Sequence, residues 1–503
     1  VERDAVIDPA TLRVLASALR GVADEMGAGL IRAAHSANIK ERRDCSTGVF
    51  DCDGRMIAQA EHIPVHLGAM PDAVAAVREL QPQPGDLFVV NDPFTGGTHL
   101  PDITLVSVVD DLALLVSRAH HADVGGMSPG SLPALSRELY QEGLIIPPMR
   151  LTDEVLRLMA ANMRRPDERL ADLRAQTACH LIGAERLREL AERHGRARLL
   201  QGMAELHAYA ERRMRAAIAR LPDGVYEARD VVEGDGTDDR DVEIRARVSV
   251  WGDRIEVDFA GTAGQVAGNL NCPLSVTRSA VYYVVRVLCA ADLEASGGAF
   301  VPVSVTAPEG CLVNARFPAA VVAGNTETSS RIVDVVMAAF GRAVDVPAMG
   351  QGTMNNLVVG NAGFTYYETL AGGQGACADA DGPSAVHVAM SNTLNTPIEV
   401  LEREYPLLVE RYALRRGSGG AGRHRGGDGV VRALRALEDC RLSIVSERRR
   451  HRPRGAAGGE DGGLGENRLN GRRIAAKVST ELHAGDVIEL RTPGGGGHGP
   501  PPV

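Results

Sequence analysis

Apolar residues recur along this chain with two different periods, and the switches between them mark out its elements. Asp8-Pro9 reads as an N-cap followed by proline at the first helical position, and Leu12, Leu15, Leu19, Val22, Met26 and Leu30 continue at helical spacing. That pattern predicts a long amphipathic opening helix. Thr47 to Phe50 and Arg55 to Gln59 flank the turn sequence Asp51-Cys52-Asp53-Gly54, which predicts a β-hairpin. Strand-like runs follow at Asp86 to Val90, Ile103 to Val109 and Leu112 to Arg118, the last two joined by an Asp110-Asp111 turn. Residues 153 to 220 read as mainly helical, with Leu170, Leu173, Leu181, Ala184 and Leu187 on one face and Thr177 its only polar interruption. Residues 224 to 260 return to strands around a Gly252-Asp253 turn, and two further helical runs span Ala280 to Ala291 and Ser329 to Phe340.

The C-terminal third is glycine-rich, with tracts at 371-AGGQGA-376, 417-GSGGAGRHRGGDG-429, 454-RGAAGGEDGGLG-465 and 494-GGGGHG-499. Residues 452 to 466 read as an exposed loop, whereas the other tracts lie between apolar segments. Helices and strands come in blocks and do not alternate regularly, so the expected class is α+β. The expected architecture is multi-domain and mixed, with β-hairpins, a central helical segment and a glycine-rich β C-terminal region. The divisions fall at 1–150, 151–222, 223–345 and 346–503.

Composition narrows the function. The 503 residues exceed what one hydrophobic core usually serves, and 44% hydrophobic with 24% charged residues is ordinary for a soluble globular protein. A formal net charge of −10 argues against a nucleic-acid footprint and points to small-molecule substrates. Lys40 and Lys477 are the only lysines, so any mechanism that needs a catalytic or phosphate-cradling lysine has few candidates. Eight cysteines without a C-x-x-C pair favour reduced thiols in a cytoplasmic protein. Val1-Glu2-Arg3-Asp4 does not lead into the apolar run of a secretory signal, and no stretch has the roughly 18 uninterrupted apolar residues of a membrane span.

The chemistry concentrates in two segments. The stretch 91-NDPFTGGTHLPD-102 follows a strand and places Asp92, His99 and Asp102 around a glycine turn, and 120-HHADVGG-126 adds His120, His121 and Asp123. If the strands between them pair, imidazoles and carboxylates meet in one small volume, a donor mixture suited to Mn²⁺, Fe²⁺ or Zn²⁺. Pro101 keeps the His99–Asp102 pair out of a helix interior. Adjacent His120 and His121 point to opposite faces of a strand, so one of them is the donor. Glu41 and Asp44 offer further oxygen donors, while Glu61, His62 and His66 read as pocket lining or structural hydrogen bonding. Fourteen histidines also produce chance clusters, so spacing alone leaves a surface pair open.

Two other motifs lead elsewhere. Gly126-Met127-Ser128-Pro129-Gly130 matches a nucleophile elbow, but the residue after the serine must donate its N–H to an oxyanion and proline has none. The chain contains no G-x-x-x-x-G-K-[ST] sequence, so any ATP is expected on another chain. The tract at 417 to 429, with Arg423 and Arg425, offers either an anion nest or tight turns at a packed interface.

Nine stretches together resemble the hydantoinase B/oxoprolinase family. They are 41-ERRDCSTGVFD-51, 61-EHIPVHLGAMP-71, 91-NDPFTGGTHLPDITLV-106, 118-RAHHADVGG-126, 324-GNTETSSRI-332, 350-GQGTMNNLVVG-360, 391-SNTLNTPIEVLE-402, 416-RGSGGAGRHRGGDG-429 and 492-TPGGGGHG-499. The resemblance implies a cytoplasmic hetero-oligomer in which a hydantoinase A-type, actin-like ATPase subunit binds ATP and phosphorylates a small cyclic amide. This chain would then be the metal-bearing subunit in which the activated carbonyl is attacked. Carried over by motif, the implied metal ligands are Asp44, His99, Asp102 and His120, with His121 as the substitute for His120. Asp123 would orient a histidine, and Asp92 or His121 would shuttle protons. The alternatives are the alpha subunit of an acetone- or acetophenone-type carboxylase and a non-catalytic scaffold for the ATPase.

Overall fold

The computed structural model describes residues 7–61 and 63–502. The opening residues Val1 to Asp4 and His62 therefore lie outside the described residues, as does the Glu61 side chain. Strands β1 (Cys45–Phe50) and β2 (Met56–Glu61) form the expected hairpin. The chain then passes through β3 (Leu87–Val90), β4 (Asp102–Val109), β5 (Ala113–His120) and β6 (Met149–Arg150). The six make an antiparallel sheet in the order β2-β1-β5-β4-β3-β6. Because successive side chains on a strand point to opposite faces, β5 sends Leu115 and Ala119 into one core and Leu114 and Val116 into another.

The first of those cores is closed by α1 (Pro9–Ala33), with α2 (Ala37–Lys40) leading from it into β1. Asp8 caps α1 as its sequence predicts, accepting from the N–H groups of Ala10 and Thr11 at 3.1 and 3.0 Å. Leu15, Leu19, Val22, Met26 and Leu30 are buried along one stripe, each stabilising the fold by about 1.5–3 kcal/mol. After α3 (Ala69–Arg78), the helical block consists of α4 (Asp153–Asn162), α5 (Pro166–His194) and α6 (Arg196–Ile218). The expected face of α5 holds except at Leu181, which is 70% exposed: Leu173 and Leu187 are buried, Leu170 and Ala184 half-buried, and the buried stripe also includes Asp172, Gln176, Cys179, His180 and Gly183. Its buried polar residues hydrogen bond to the sheet beneath, through Ser107, Ser117 and His121.

A four-stranded sheet of β7 (Gly224–Glu233), β8 (Asp241–Trp251), β9 (Arg254–Asp258) and β10 (Val303–Thr306) packs on α7 (Leu274–Cys289) and α8 (Ser329–Phe340). The rest of the chain makes two more sheets. One has the order β12-β11-β15-β18, from β11 (Asn356–Gly360), β12 (Thr365–Glu368), β15 (Cys440–Val445) and β18 (Lys477–Leu482). The other has the order β13-β14-β19-β16-β17, from β13 (Leu407–Arg415), β14 (Gly429–Ala436), β16 (Glu466–Leu469), β17 (Arg472–Ile474) and β19 (Val487–Arg491), with α9 (Ile398–Glu404) leading into it. These blocks of helix and strand make the molecule α+β. No helix among the described residues is long and apolar enough to cross a membrane.

Buried charges tie α8 to its neighbours. Arg331 reaches Asp230 of β7 at 3.3 Å and Glu447 at 3.4 Å, Arg448 reaches Asp334 of α8 at 2.5 Å, and Lys477 reaches Glu447 at 2.5 Å. The glycine tracts interlock with one another. Residues 452 to 466 form the expected loop, exposed at Arg452, Arg454, Ala457, Glu460 and Asp461, and it is anchored to the other tracts where Glu460 donates to the Ala421 carbonyl and Ala456 to that of Gly497. Of the two readings of the tract at 417 to 429, the packed interface fits: Gly427 donates to the Gln374 carbonyl and Gly420 to that of Gly495, which in turn donates to Gly427. Without side chains, these backbones approach closely enough to hydrogen bond in several directions.

That close approach sets a test. A Cβ on Gly495 would lie 2.0 Å from the Gln374 carbonyl oxygen, whereas one on Gly21 of α1 meets nothing within 4 Å. Gly495→Ala is expected to destabilise the protein by about 1–3 kcal/mol. Gly21→Ala should stabilise it by roughly 0.5–1 kcal/mol. Differential scanning calorimetry should show the two unfolding temperatures moving in opposite directions.

Candidate metal centre

Strand register assembles the centre. Asp102 opens β4 directly opposite His120, the last residue of β5, and residues paired across strands share a face. On the other side of β5, Cys45 pairs with Ala119, which leaves Asp44 beside His120, and the Asp44 carbonyl accepts the His120 N–H at 3.0 Å. His99 arrives on the loop before β4. Asn91 braces that loop by donating to the carbonyls of Leu100 and Leu144 and accepting from the Ile146 N–H. Arg118 braces it from the sheet, donating to Thr104 at 2.7 Å and to the Gly96 carbonyl at 2.7 Å. Gly97 is required in the loop, because a Cβ there would lie 2.2 Å from the Asn91 carbonyl oxygen.

Three donor atoms converge. His99 Nε2 and His120 Nδ1 each lie 3.0 Å from Asp102 Oδ1 and 3.2 Å from one another. The second oxygen of Asp102 accepts from Thr98 at 2.6 Å and has His66 Nε2 at 3.6 Å. All four of Asp102, His66, His99 and His120 are buried. Burial pushes the Asp102 carboxyl up, but the charge of His99 and hydrogen bonds from His120, His66 and His99 hold it well below the usual carboxylate range. Burial also works against a protonated His99, yet the charge and hydrogen bond of Asp102 and the charge of Asp44 outweigh it and raise the His99 pKa. At His66 burial prevails and the pKa is lowered.

The set fits a divalent ion. Two donors about 2.1 Å from one ion and at right angles to each other stand ~3.0 Å apart, close to the observed spacing. Buried atoms without partners point the same way: His66 Nε2, His120 Nε2 and Asn325 Oδ1 are all unsatisfied. Asn325 Nδ2 lies 3.2 Å from His99 Nδ1, and turning that amide end for end lets its oxygen accept Nδ1–H, leaving Nε2 its lone pair. Asn325 sits in a single π-helical turn, Gly324–Thr328, that precedes α8. Tyr367 of β12 stacks on His120 at 4.8 Å between ring centroids and donates to Asn356 at 2.9 Å. The cavity enclosed here measures about 20 Å³, room for one water or one ion. Asp44, His66, His99, Asp102, His120 and Asn325 line one side, and Thr369, Ser391 and Thr393 also line it. A much larger cleft of about 980 Å³, lined in part by Arg229, Arg245, Asp334 and Met349, shares none of these residues and lacks their donor cluster.

Of the residues singled out by sequence, the structure brings together His99, Asp102 and His120, whose donor atoms lie within 4.8 Å of one another. Asp44 lines the same cavity, but its carboxylate stands outside that group. Three others are elsewhere. His121, one position past His120, turns to the other face of the sheet and meets Gln176 of α5 at 3.0 Å. Asp123 orients no histidine, because its oxygens accept from the N–H groups of Gly125, Gly130 and Arg164 and from the Arg164 guanidinium. Asp92 accepts from the Phe94 N–H and shapes the loop without lining the cavity. Asn325, Thr326, Tyr367, Thr369, Ser391 and Thr393 were given no role from sequence, although Asn325, Thr326, Ser391 and Thr393 fall within the polar stretches 324–332 and 391–402.

A model of the hydantoinase B/oxoprolinase family matches residues 8–501. The chain is 37% identical to 5-oxoprolinase 1 of Arabidopsis thaliana over 98% of its own length and 42% of that protein's, so it spans less than half of that relative. It is 31% identical to a putative D-/L-hydantoinase subunit of a Pseudomonas species, covering 98% of this chain and 90% of that one. The crystal structure of ATP-dependent caprolactamase from Pseudomonas jessenii matches with a TM-score of 0.92 at 28% identity, over 99% of this chain and 93% of that one. A nucleotide-free acetone carboxylase matches with a TM-score of 0.90 at 17% identity, over 98% and 76%, a likeness of fold alone.

Behind the sheet, on the face away from the donor cluster, His180 of α5 bridges Ser107 and Ser117 at 2.7 Å each. Burial lowers its pKa from 6.5 to about 3, so the folded protein holds it neutral. Below pH 6.5 the unfolded chain binds a proton there that the folded chain refuses, and stability falls as the pH drops toward 3. This one group should contribute a slope of up to about 1.4 kcal/mol per pH unit across that window. His180→Gln is expected to flatten the dependence by about one proton. Urea denaturation between pH 6.5 and 4.5 measures it, and an unchanged slope would show that His180 titrates normally.

Proposed function

Because the chain belongs to the hydantoinase B/oxoprolinase family, we propose that it is the metal-bearing component of an ATP-dependent cyclic-amide hydrolase, acting on a substrate that an ATPase partner activates. The observation that carries this reading is the triangle of His99 Nε2, Asp102 Oδ1 and His120 Nδ1, buried and only 3.0–3.2 Å on a side. In this reading those three residues hold the ion, with Asp44 next to them. A bound Mn²⁺, Fe²⁺ or Zn²⁺ would polarise a carbonyl and lower the pKa of water from about 15.7 toward about 7.

The chain's own residues do the rest. Asn325 and Tyr367 fix the two imidazole planes, one by hydrogen bonding and the other by stacking. Ser46 holds His66 through Nδ1 at 2.8 Å, which leaves Nε2 directed at the centre and free to orient a water. His121, Asp92 and Asp123, expected to move protons or orient a histidine, are engaged elsewhere and have no part in this account.

The partner is proposed to be a hydantoinase A-type ATPase that binds ATP and phosphorylates the amide oxygen, making it a leaving group. Two likenesses support a second component: the Pseudomonas relative is named as one subunit of a hydantoinase, and the Arabidopsis 5-oxoprolinase is more than twice the length this chain covers. The caprolactamase likeness supports an ATP-dependent lactam reaction, while the acetone carboxylase likeness rests on fold alone and favours no carboxylation.

His99→Ala is expected to strip the metal, measured by plasma mass spectrometry after gel filtration. It should also lower ATP-dependent ring opening with the partner by more than the ~10–100-fold typical of losing a residue that only orients a ligand. Asn325→Ala should fall within that smaller range. Wild-type metal content and turnover in His99→Ala would remove the basis of the assignment.

A further inference from the structure

Arg42 is a buried cation without an anion. It is 1% exposed, and among the described residues no carboxylate lies within the 4.0 Å range of an ion pair with it. Of the other fully buried arginines, Arg331, Arg432 and Arg448 each meet at least one carboxylate, whereas Arg118, like Arg42, meets none and is held by the Gly96 and Ala69 carbonyls and by Thr104, none of which lines the cavity of the metal centre. Arg42 instead donates from Nη1 to the Tyr367 carbonyl at 2.6 Å and from Nη2 to Thr369 Oγ1 at 2.5 Å and Thr393 Oγ1 at 3.0 Å. Its Nε has no partner. Removing a guanidinium from water without a counter-charge is costly, so an unpaired buried arginine marks a place where a ligand can supply the charge.

The two threonines it touches line the cavity of the metal centre. Their oxygens lie 2.7 Å apart, and both accept from the guanidinium. At 2.7 Å one of the two hydroxyls donates to the other, which leaves one hydrogen of the pair to point away from the guanidinium, and a hydroxyl polarised by a cation is a strengthened donor. Ser391 adds a third hydroxyl to the lining, held by His387 Nδ1 at 2.6 Å. Asp44 and Asp102 would be balanced by one divalent ion, which leaves Arg42, like Arg118, without a carboxylate of its own.

We propose that Thr369, Ser391 and Thr393, backed by Arg42, form a subsite for an anionic oxygen group on the substrate, either a carboxylate that it carries or the phosphoryl group placed on its amide oxygen. The subsite rests on the hydrolase reading above and adds a specificity element to it. The cavity is too small for a ring as it stands, so the irregular stretch bearing Ser391 and Thr393 must shift to admit one, and Leu394 within that stretch is already 50% exposed.

The test is calorimetric titration of the full chain, with and without Mn²⁺, using 5-oxoproline, its carboxylate-free counterpart 2-pyrrolidinone, and inorganic phosphate. At least one of the two anions should bind about 10-fold or more tightly than 2-pyrrolidinone, and Thr369→Val and Thr393→Val should each remove most of that advantage. Arg42→Gln should do the same, and the threonine variants keep the test readable if that one does not fold. Binding of 5-oxoproline alone assigns the subsite to a substrate carboxylate, and binding of phosphate alone assigns it to the phosphoryl group. Equal binding of 2-pyrrolidinone, no binding of either anion, or full anion affinity in the threonine variants would each overturn the proposal. If Mn²⁺ binds while the anions do not, the subsite fails and the metal reading stands. If the anions bind and Mn²⁺ does not, the reverse holds.

Discussion

A carboxylate with almost no access to water, Asp102, sits among three imidazoles, and the architecture around it can be read as the means of keeping it there. A lone buried carboxylate would take up a proton, because charge is poorly tolerated in a low-dielectric interior. Asp102 stays charged because each of its oxygens meets a donor, His99 and His120 on one and Thr98 on the other, with His66 Nε2 3.6 Å away. None of these partners is close to all the others in sequence. The β4–β5 ladder delivers His120, the glycine loop braced by Asn91 and Arg118 delivers His99, and the short turn after β2 delivers His66. A one-residue slip in that ladder would point His120 away and leave the carboxylate short of a partner.

Much of this was legible in the chain. The Asp110-Asp111 turn sets the β4–β5 hairpin, and the hairpin sets the meeting of Asp102 and His120. The alternation rule also separated His120 from His121 correctly, with His121 facing α5. The rest was hidden for physical reasons. On α5 the apolar spacing placed Leu181 with Leu173 and Leu187, but the buried stripe takes in Gln176 and His180, which hydrogen bond to the sheet, and Leu181 faces solvent. Asp123 carries the same side chain as a ligand-orienting carboxylate and instead organises its own loop, a choice made by local N–H groups that no spacing rule counts. Thr369, Ser391 and Thr393 reach the centre from more than 240 residues downstream of Asp102, where small hydroxyl side chains look like loop residues. The isolation of Arg42 from carboxylates is a property of the folded interior alone.

Arginine does nearly all of the cationic work inside this protein. Arg331, Arg432 and Arg448 lie within the fold and bind carboxylates from strands and helices far apart in sequence. A planar guanidinium suits this role, being more weakly hydrated than an ammonium and able to bridge several acceptors at once. Lys477 is the buried exception, against Glu447. Such pairs contribute little net stability, since desolvation offsets most of the attraction, but removing one partner leaves a bare charge behind. They therefore hold the C-terminal sheets and α8 in one arrangement, and that arrangement presents Asn325 to His99.

The glycine tracts carry a consequence for how the molecule is made. Residues near 350, 374, 420, 427, 460 and 496 hydrogen bond to one another through backbone alone, and although some of these bonds join the earlier tracts directly, the set is complete only when residues 493 to 499 are present. On a ribosome the opening helix and first hairpins have all their neighbours long before that layer can close. Contacts of such long sequence separation are slow to form, because the intervening loops must be ordered before any bond rewards it. Closure of this layer is thus a late step, with the donors at residues 44 to 120 made early and the wall bearing Thr369, Ser391 and Thr393 completed only when residues 493 to 499 meet the earlier tracts.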